Sequence, residues 1–317
     1  MLRALRCSVC GAVFAVAGRA LRCANGHSFD VAKQGYVNLL HAKVPAGTAD
    51  TPAMVAARAA FLDAGHYALL ADAVARAASS ARVAPSGAAS RTFARGESHV
   101  RERESRDPGL RVPASGAASP AFRQGEGTPP GLIVDAGAGT GYYLAATLDA
   151  LPDATGLAFD LSAAACRKAA RCHPRAAAAV WNTWQPLPLA DACASVVLDV
   201  FAPRNATEFR RVLRDDGVLV VVTPTSAHLA ELAEFTLDVD PAKETRLAEG
   251  LSRCFDRAGA EEVSYPLELS AAEARTLIEM GPAAHHLAPG ALDALPYAVR
   301  VMVSCTVAVY RPRDGAA

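Results

Sequence analysis

A run of glycines after a short apolar segment constrains this chain more than any other feature. Residues 132–136 read LIVDA and lead directly into Gly137-Ala138-Gly139-Thr140-Gly141. Five apolar-rich residues ended by glycines read as a buried strand followed by a tight turn. The next segment, YYLAATLDAL, reads as a helix whose first amides face that turn, an arrangement suited to a ligand. From Gly131 onward strand and helix text alternates as GLAFD, SAAACRKAARC, AAAVW, ASVVLDVFA, NATEFRRVL and GVLVVVTP. This rhythm predicts an α/β fold built on a doubly wound, Rossmann-like parallel sheet. The tail supplies VSYPLEL, a helix from Ser270, and VRVMVSCTVAVY, two further strands expected to pair antiparallel at one end of the sheet.

The spacing of the glycines narrows the ligand. A dinucleotide fingerprint, GxGxxG, counted from Gly137 puts Tyr142 where its last glycine should stand. The pattern is instead D-x-G-x-G-x-G from Asp135 through Gly137, Gly139 and Gly141, with Thr140 inside the loop. That pattern suits S-adenosylmethionine, which has no pyrophosphate. Asp160 closes the second strand, where a carboxylate can accept from both ribose hydroxyls. The competing reading is a tight strand-to-helix turn with no ligand.

The N-terminal text is of another kind. Cys7-x2-Cys10-x12-Cys23-x3-His27 offers four ligands from two tight turns, the donor set of a closed structural zinc site. A redox CxxC pair would open a helix after a strand, and no such frame surrounds Cys7. The remaining cysteines (166, 172, 193, 254 and 305) fall in predicted core elements and read as small buried hydrophobes. The chain carries no net charge, but residues 1–50 hold six Lys/Arg against two Asp. A basic module on an acidic body suggests that the module meets a polyanion. Arg3, Arg6, Arg19, Arg22, Lys33 and Lys43 would serve phosphates, and Phe29 and Tyr36 would offer stacking faces.

Four segments follow: a ribbon at 1–43, connecting helices at 44–81, an insertion at 82–130 and the α/β domain at 131–317. Thr51-Pro52 reads as cap and first position of the first connecting helix. The insertion repeats itself, RVAPSGAASRTFARGE at 82 returning as RVPASGAASPAFRQGE at 111, and its composition cannot bury a core. It is expected to be disordered and dispensable. No apolar run approaches the ~20 residues that span a bilayer, and the MLRALR start is followed by too short an apolar stretch for a secretion signal. A cytoplasmic location without membrane contact is expected.

Taken with the zinc quartet, several stretches resemble one known family. They are NGHSFDVAKQGYVNLL at 25–40, MVAARAAFLDAGHY at 54–67, VDAGAGTGYYL at 134–144, VFAPRN at 200–205, VVVTPTSAHLAEL at 220–232 and MGP at 280–282. The chain resembles the RlmA-type 23S ribosomal RNA (guanine-N1)-methyltransferases, most of all the actinobacterial branch linked to tylosin resistance. The resemblance implies a zinc ribbon ahead of a class I methyltransferase domain, S-adenosylmethionine as cofactor and a 23S rRNA hairpin as substrate. It also implies a homodimer and a role in macrolide resistance. By the same token Cys7, Cys10, Cys23 and His27 match the zinc ligands, and Tyr67, Gly139, Thr140 and His228 match cofactor contacts. Asn182 stands where related enzymes often place an acid against the adenine amino group, and its amide oxygen can still accept there.

Guanine N1 must lose a proton as it attacks the methyl group. The candidates for the base are Asp199 and the backbone around Phe201-Ala202-Pro203, and Phe201 is a stacking face for an extruded guanine. A structural acid is the competing reading of Asp199. Two other functions share much of this text: a zinc-ribbon methyltransferase of tRNA, protein or a small molecule, and a non-catalytic RNA-binding regulator.

Overall fold

The computed structural model describes residues 1–41, 49–79, 131–235, 249–285, 290–295 and 297–313. The expectation for 82–130 lies outside the described residues.

The N-terminal segment forms three short antiparallel strands, β1 (Phe14–Ala17), β2 (Ala20–Cys23) and β3 (Ser28–Asp30). Positive-φ glycines Gly11 and Gly26 turn the chain beside the cysteine pairs, where a Cβ would strain the backbone. A fourth strand, β4 (Tyr36–Asn38), leaves this small sheet and pairs in parallel with another, β7 (Ala176–Val180). The ribbon thus ends as the edge strand of the main sheet.

That sheet has eight strands. With β5 (Leu132–Ala136), β6 (Thr155–Asp160), β8 (Ala194–Val200), β9 (Leu213–Pro224), β10 (Phe255–Ser270) and β11 (Ala298–Pro312), its order is β10-β11-β9-β8-β5-β6-β7-β4. The strands from β9 to β4 are parallel, and β11 runs antiparallel to both β9 and β10, as the tail's text predicts. The strand order reverses between β5 and β8, where a doubly wound sheet opens a crevice at its carboxyl edge.

Strand alternation sorts the core onto two faces. Ile133, Val196, Leu198, Val218, Val220, Val301 and Val303 point to one face. There they meet α1 (Pro52–Asp63), α2 (Ala68–Ser79), α3 (Tyr142–Ala150), α4 (Ala163–Ala169) and α6 (Ala271–Glu279). Val134, Leu157, Phe159, Val197, Leu219 and Val221 point to the other, against α5 (Ala206–Val212) and the ribbon's Leu5, Leu21, Val37 and Leu39. Each fully buried side chain of this size is worth roughly 1.5–3 kcal/mol, so the ribbon is bonded to the body by core packing.

Helix starts follow local chemistry. Thr51 caps α1 through the Met54 amide with Pro52 in the first turn, Asn205 caps α5 through Glu208, and Ser270 and Glu273 form a reciprocal capping box on α6. No described helix is long and apolar enough to cross a membrane.

Candidate cofactor and zinc sites

The four N-terminal ligands converge. Their donor atoms lie within 4.8 Å of one another. Cys7 Sγ and Cys23 Sγ lie 3.7 and 3.4 Å from His27 Nδ1, and Cys10 Sγ lies 3.7 Å from Cys23 Sγ. A tetrahedron with Zn–S near 2.3 Å and Zn–N near 2.0–2.1 Å has edges of about 3.6–3.8 Å. The donor set therefore fits zinc in both chemistry and size. The other five cysteines carry free thiols; Cys166 and Cys305 are buried as expected, whereas Cys172, Cys193 and Cys254 are only half-buried. Burial pushes the Cys172 and Cys305 thiols up to about 12, consistent with inert packing groups.

At the sheet's carboxyl edge, Gly137, Gly139 and Gly141 all take positive φ. A Cβ on Gly137 would meet Ala202 Cβ at 2.5 Å, and one on Gly141 would meet Cys172 Sγ at 2.8 Å. Asp160 shapes the loop between them: its Oδ2 accepts from the Gly139 amide and its Oδ1 from the Ser162 amide, each at 2.8 Å. Asp135 is buried beneath, and desolvation with the nearby Asp160 carboxylate pushes its pKa up to about 8. Two carboxylates under a cradle of loop amides, with little cationic compensation, suit a ligand that carries positive charge and a diol. Such a set fits S-adenosylmethionine. Above the cradle, Arg58 of α1 packs on Gly139 while its guanidinium pairs with Asp50 and donates to the Met280 carbonyl.

Three expected residues from distant parts of the chain form one row. The ring of Tyr67, in the α1–α2 turn, lies 6.3 Å from His228, and His228 stacks on Phe201 at 6.0 Å and 21°. His228 Nδ1 accepts from the Ser304 amide at 3.2 Å, so the neutral ring carries its proton on Nε2. Burial holds its pKa down to about 4. Phe201 sits at φ 55°, a left-handed backbone that costs a bulky residue on the order of 1–3 kcal/mol, and such strain gathers at functional sites. The residue is 42% exposed. Ala202 and Pro203 follow and press against Gly137.

Asp199 departs from the base expected of it. It is fully buried, and desolvation pushes its carboxyl well above the usual range against the opposing pull of Arg204. Arg204 Nε lies 3.6 Å away, and neither carboxylate oxygen makes a hydrogen bond among the described residues. Its burial leaves it no surface toward the crevice, and the charged group facing it is Arg204 of the 201–205 loop. Asn182 Oδ1 accepts from the Trp184 amide at 3.1 Å, which leaves the second lone pair of that oxygen for a ligand. Phe29 and Tyr36 are both half-buried: Phe29 packs edge-on against Phe14 at 5.6 Å, and Tyr36 packs against the core.

Sequence reasoning passed over Tyr143. Its hydroxyl is buried with no hydrogen-bond partner among the described residues, at the start of the glycine-loop helix. Its place immediately after Gly141-Tyr142 was the available signal.

Residues 5–44 match the family model for the RlmA N-terminal zinc ribbon. The chain is 48% identical to a Micromonospora griseorubida protein that carries the name of a 23S rRNA (guanine-N1)-methyltransferase, over 98% of each chain. It is 42% identical, again over 98% of both, to the 23S rRNA (guanine(748)-N(1))-methyltransferase of Streptomyces fradiae. This chain belongs to the RlmA family of 23S rRNA (guanine-N1)-methyltransferases. YxjB of Bacillus subtilis, which also carries the name of a 23S rRNA (guanine-N1)-methyltransferase, is 28% identical over 75% of this chain and 70% of its own length. Within the RlmA frame, the zinc quartet brings its four donors together and the glycine loop holds its three positive-φ turns.

Proposed function

We propose that this chain transfers a methyl group from S-adenosylmethionine to N1 of a guanine in a 23S ribosomal RNA hairpin. The observation that carries this reading is full-length identity with 23S rRNA (guanine-N1)-methyltransferases, in a chain whose zinc quartet and glycine loop keep working geometry.

The cofactor supplies an electrophilic methyl on a sulfonium, and displacement by N1 is an in-line event in which positioning does most of the work. Asp160 takes the ribose hydroxyls, the amides of the 137–141 loop line the methionyl portion, and Asn182 accepts from the adenine amino group. Asp135, below the loop, balances the cofactor's positive charge. Tyr67 and His228 close the far wall, and His228, neutral with its proton on Nε2, donates a hydrogen bond. Phe201 stacks on an extruded guanine and holds N1 toward the methyl group, while Pro203 stiffens the loop. Arg204, fixed by Asp199, orients this loop from below. The zinc ribbon places its exposed cations Arg3, Arg19, Arg22 and Lys33 toward the RNA backbone. Homodimerisation and tylosin-type resistance belong to the same reading, with residues 82–130 a passive insertion.

Incubation with labelled cofactor and separate pools of 23S rRNA, tRNA and protein tests this directly. Label in 23S rRNA, with a primer-extension stop at a single guanine, is expected. Label confined to tRNA or protein, or none at all, would overturn the reading.

A further inference from the structure

Trp184 is 64% exposed, yet the loop that carries it is held firmly. Asn205 Nδ2 donates to the Thr183 and Trp184 carbonyls at 3.2 and 3.1 Å, and the Trp184 amide donates to Asn182 Oδ1. Further along, the Leu187 amide donates to Glu208, and Arg211 donates to the Leu187 and Leu189 carbonyls. The backbone is thus fixed by side chains of α5 and its cap while the indole stands in water. A bare indole held this way gives up apolar burial that a polar residue would not forgo.

The loop also links two places. At its start, Asn205 ties it to the segment that carries Phe201, four residues away in sequence. At its end, the Arg6 amide donates to the Pro188 carbonyl, the Ala190 amide donates to the Ala4 carbonyl, and Leu5 bridges Leu189. One continuous rim therefore runs from the zinc ribbon to the transfer loop, with Trp184 on it. The ribbon's described residues hold five Lys/Arg against a single acid, Asp30.

We propose that Trp184 is a stacking platform for an RNA base next to the methylated guanine. This rests on the RNA-methyltransferase reading above and adds a substrate contact to it. Extruding a guanine toward Phe201 removes a stacking partner from its neighbour, and an exposed, preorganised indole replaces that partner without selecting a base. Phe29 and Tyr36 of the ribbon are half-buried against Phe14 and the core, which leaves Trp184 the more exposed ring.

The test uses the full-length zinc-loaded protein and unmodified 23S rRNA transcript. Trp184→Ala should lower RNA affinity on the order of tenfold, and Trp184→Phe should restore most of it. The salt dependence of binding should stay unchanged, because no phosphate contact is lost. Cofactor affinity by calorimetry and the thermal midpoint should also hold. The chain has two tryptophans and the other, Trp181, is buried. RNA should therefore quench wild-type indole fluorescence and leave Trp184→Phe nearly unquenched. If Trp184→Ala keeps full RNA affinity, or loses it together with the thermal midpoint without rescue by Phe, the platform is overturned. Failure of the wild type to bind or methylate the transcript would instead overturn the functional reading beneath it.

Discussion

Gly137 and Ala202 face each other so closely that a Cβ on the glycine would stand 2.5 Å from that of the alanine. The glycine loop after β5 and the transfer loop after β8 are therefore fitted to one another at the strand-order reversal. Neither loop can shift without the other.

Gly137→Ala tests this fit. The substitution places a side chain at φ 81° and inside the contact distance of Ala202. Left-handed backbone costs about 1–2 kcal/mol and overpacking about 1–3 kcal/mol. A loss of several degrees in thermal midpoint is expected, together with weaker cofactor binding by calorimetry. Adding Ala202→Gly should recover the steric part and leave the backbone part.

Asp135 should give the fold a measurable pH dependence. Its carboxyl titrates at about 8 in the folded chain and near 4 when unfolded. The folded state keeps this proton where the unfolded state has lost it, so stability falls as pH rises from about 4 through 8. Asp135→Asn should flatten that part of the stability profile measured by denaturant titration from pH 5 to 9. Binding a cationic cofactor beside Asp135 should release a proton near pH 7. Calorimetry in buffers of different ionisation enthalpy would register that release in the wild type and less of it in the Asn variant.

The Asp199–Arg204 pair should behave as a unit. Removing one member of a buried pair costs about 3–5 kcal/mol, because the other is left uncompensated. Arg204→Met alone is expected to destabilise strongly, and Asp199→Asn with Arg204→Met to destabilise less than the sum of the singles. Methyl transfer should fall more than cofactor affinity, since the pair holds the transfer loop. A double-mutant cycle on unfolding free energy, with single-turnover rates alongside, would check both statements. Additive stability effects would mean the pair is not coupled.

Zinc removal should be felt by the whole chain. Cys7 and Cys23 lie in the same core as Phe159 and Phe209, and β4 pairs with β7. Metal-binding free energy in such a site is folding free energy. Chelation, or Cys10→Ser, should therefore lower the main calorimetric transition rather than remove a separate small one. An unchanged main transition would show that the ribbon contributes nothing to the body.

The text of the chain determined whatever is decided within a few residues. Strand and helix alternation, the cap at Thr51, the helix start at Ser270, the glycine turn and the zinc quartet were all legible, because turn geometry, helix capping and ligand bite act over short separations. The antiparallel tail also followed from the placing of its two apolar runs around one helix. Tertiary structure decided exposure and partnership, which depend on residues far apart in sequence. It drew Tyr67, Phe201 and His228 into one row, although they stand far apart in the sequence. The same long-range packing buried Asp199 beside Arg204 and half-covered Phe29 with Phe14. It also sent β4 to the edge of the main sheet. Only the side chains of α5 and its cap, more than twenty residues along the chain, left Trp184 standing in water on a fixed loop. Apolar character says that a residue gains by burial; the surface available to bury it is set by the rest of the fold.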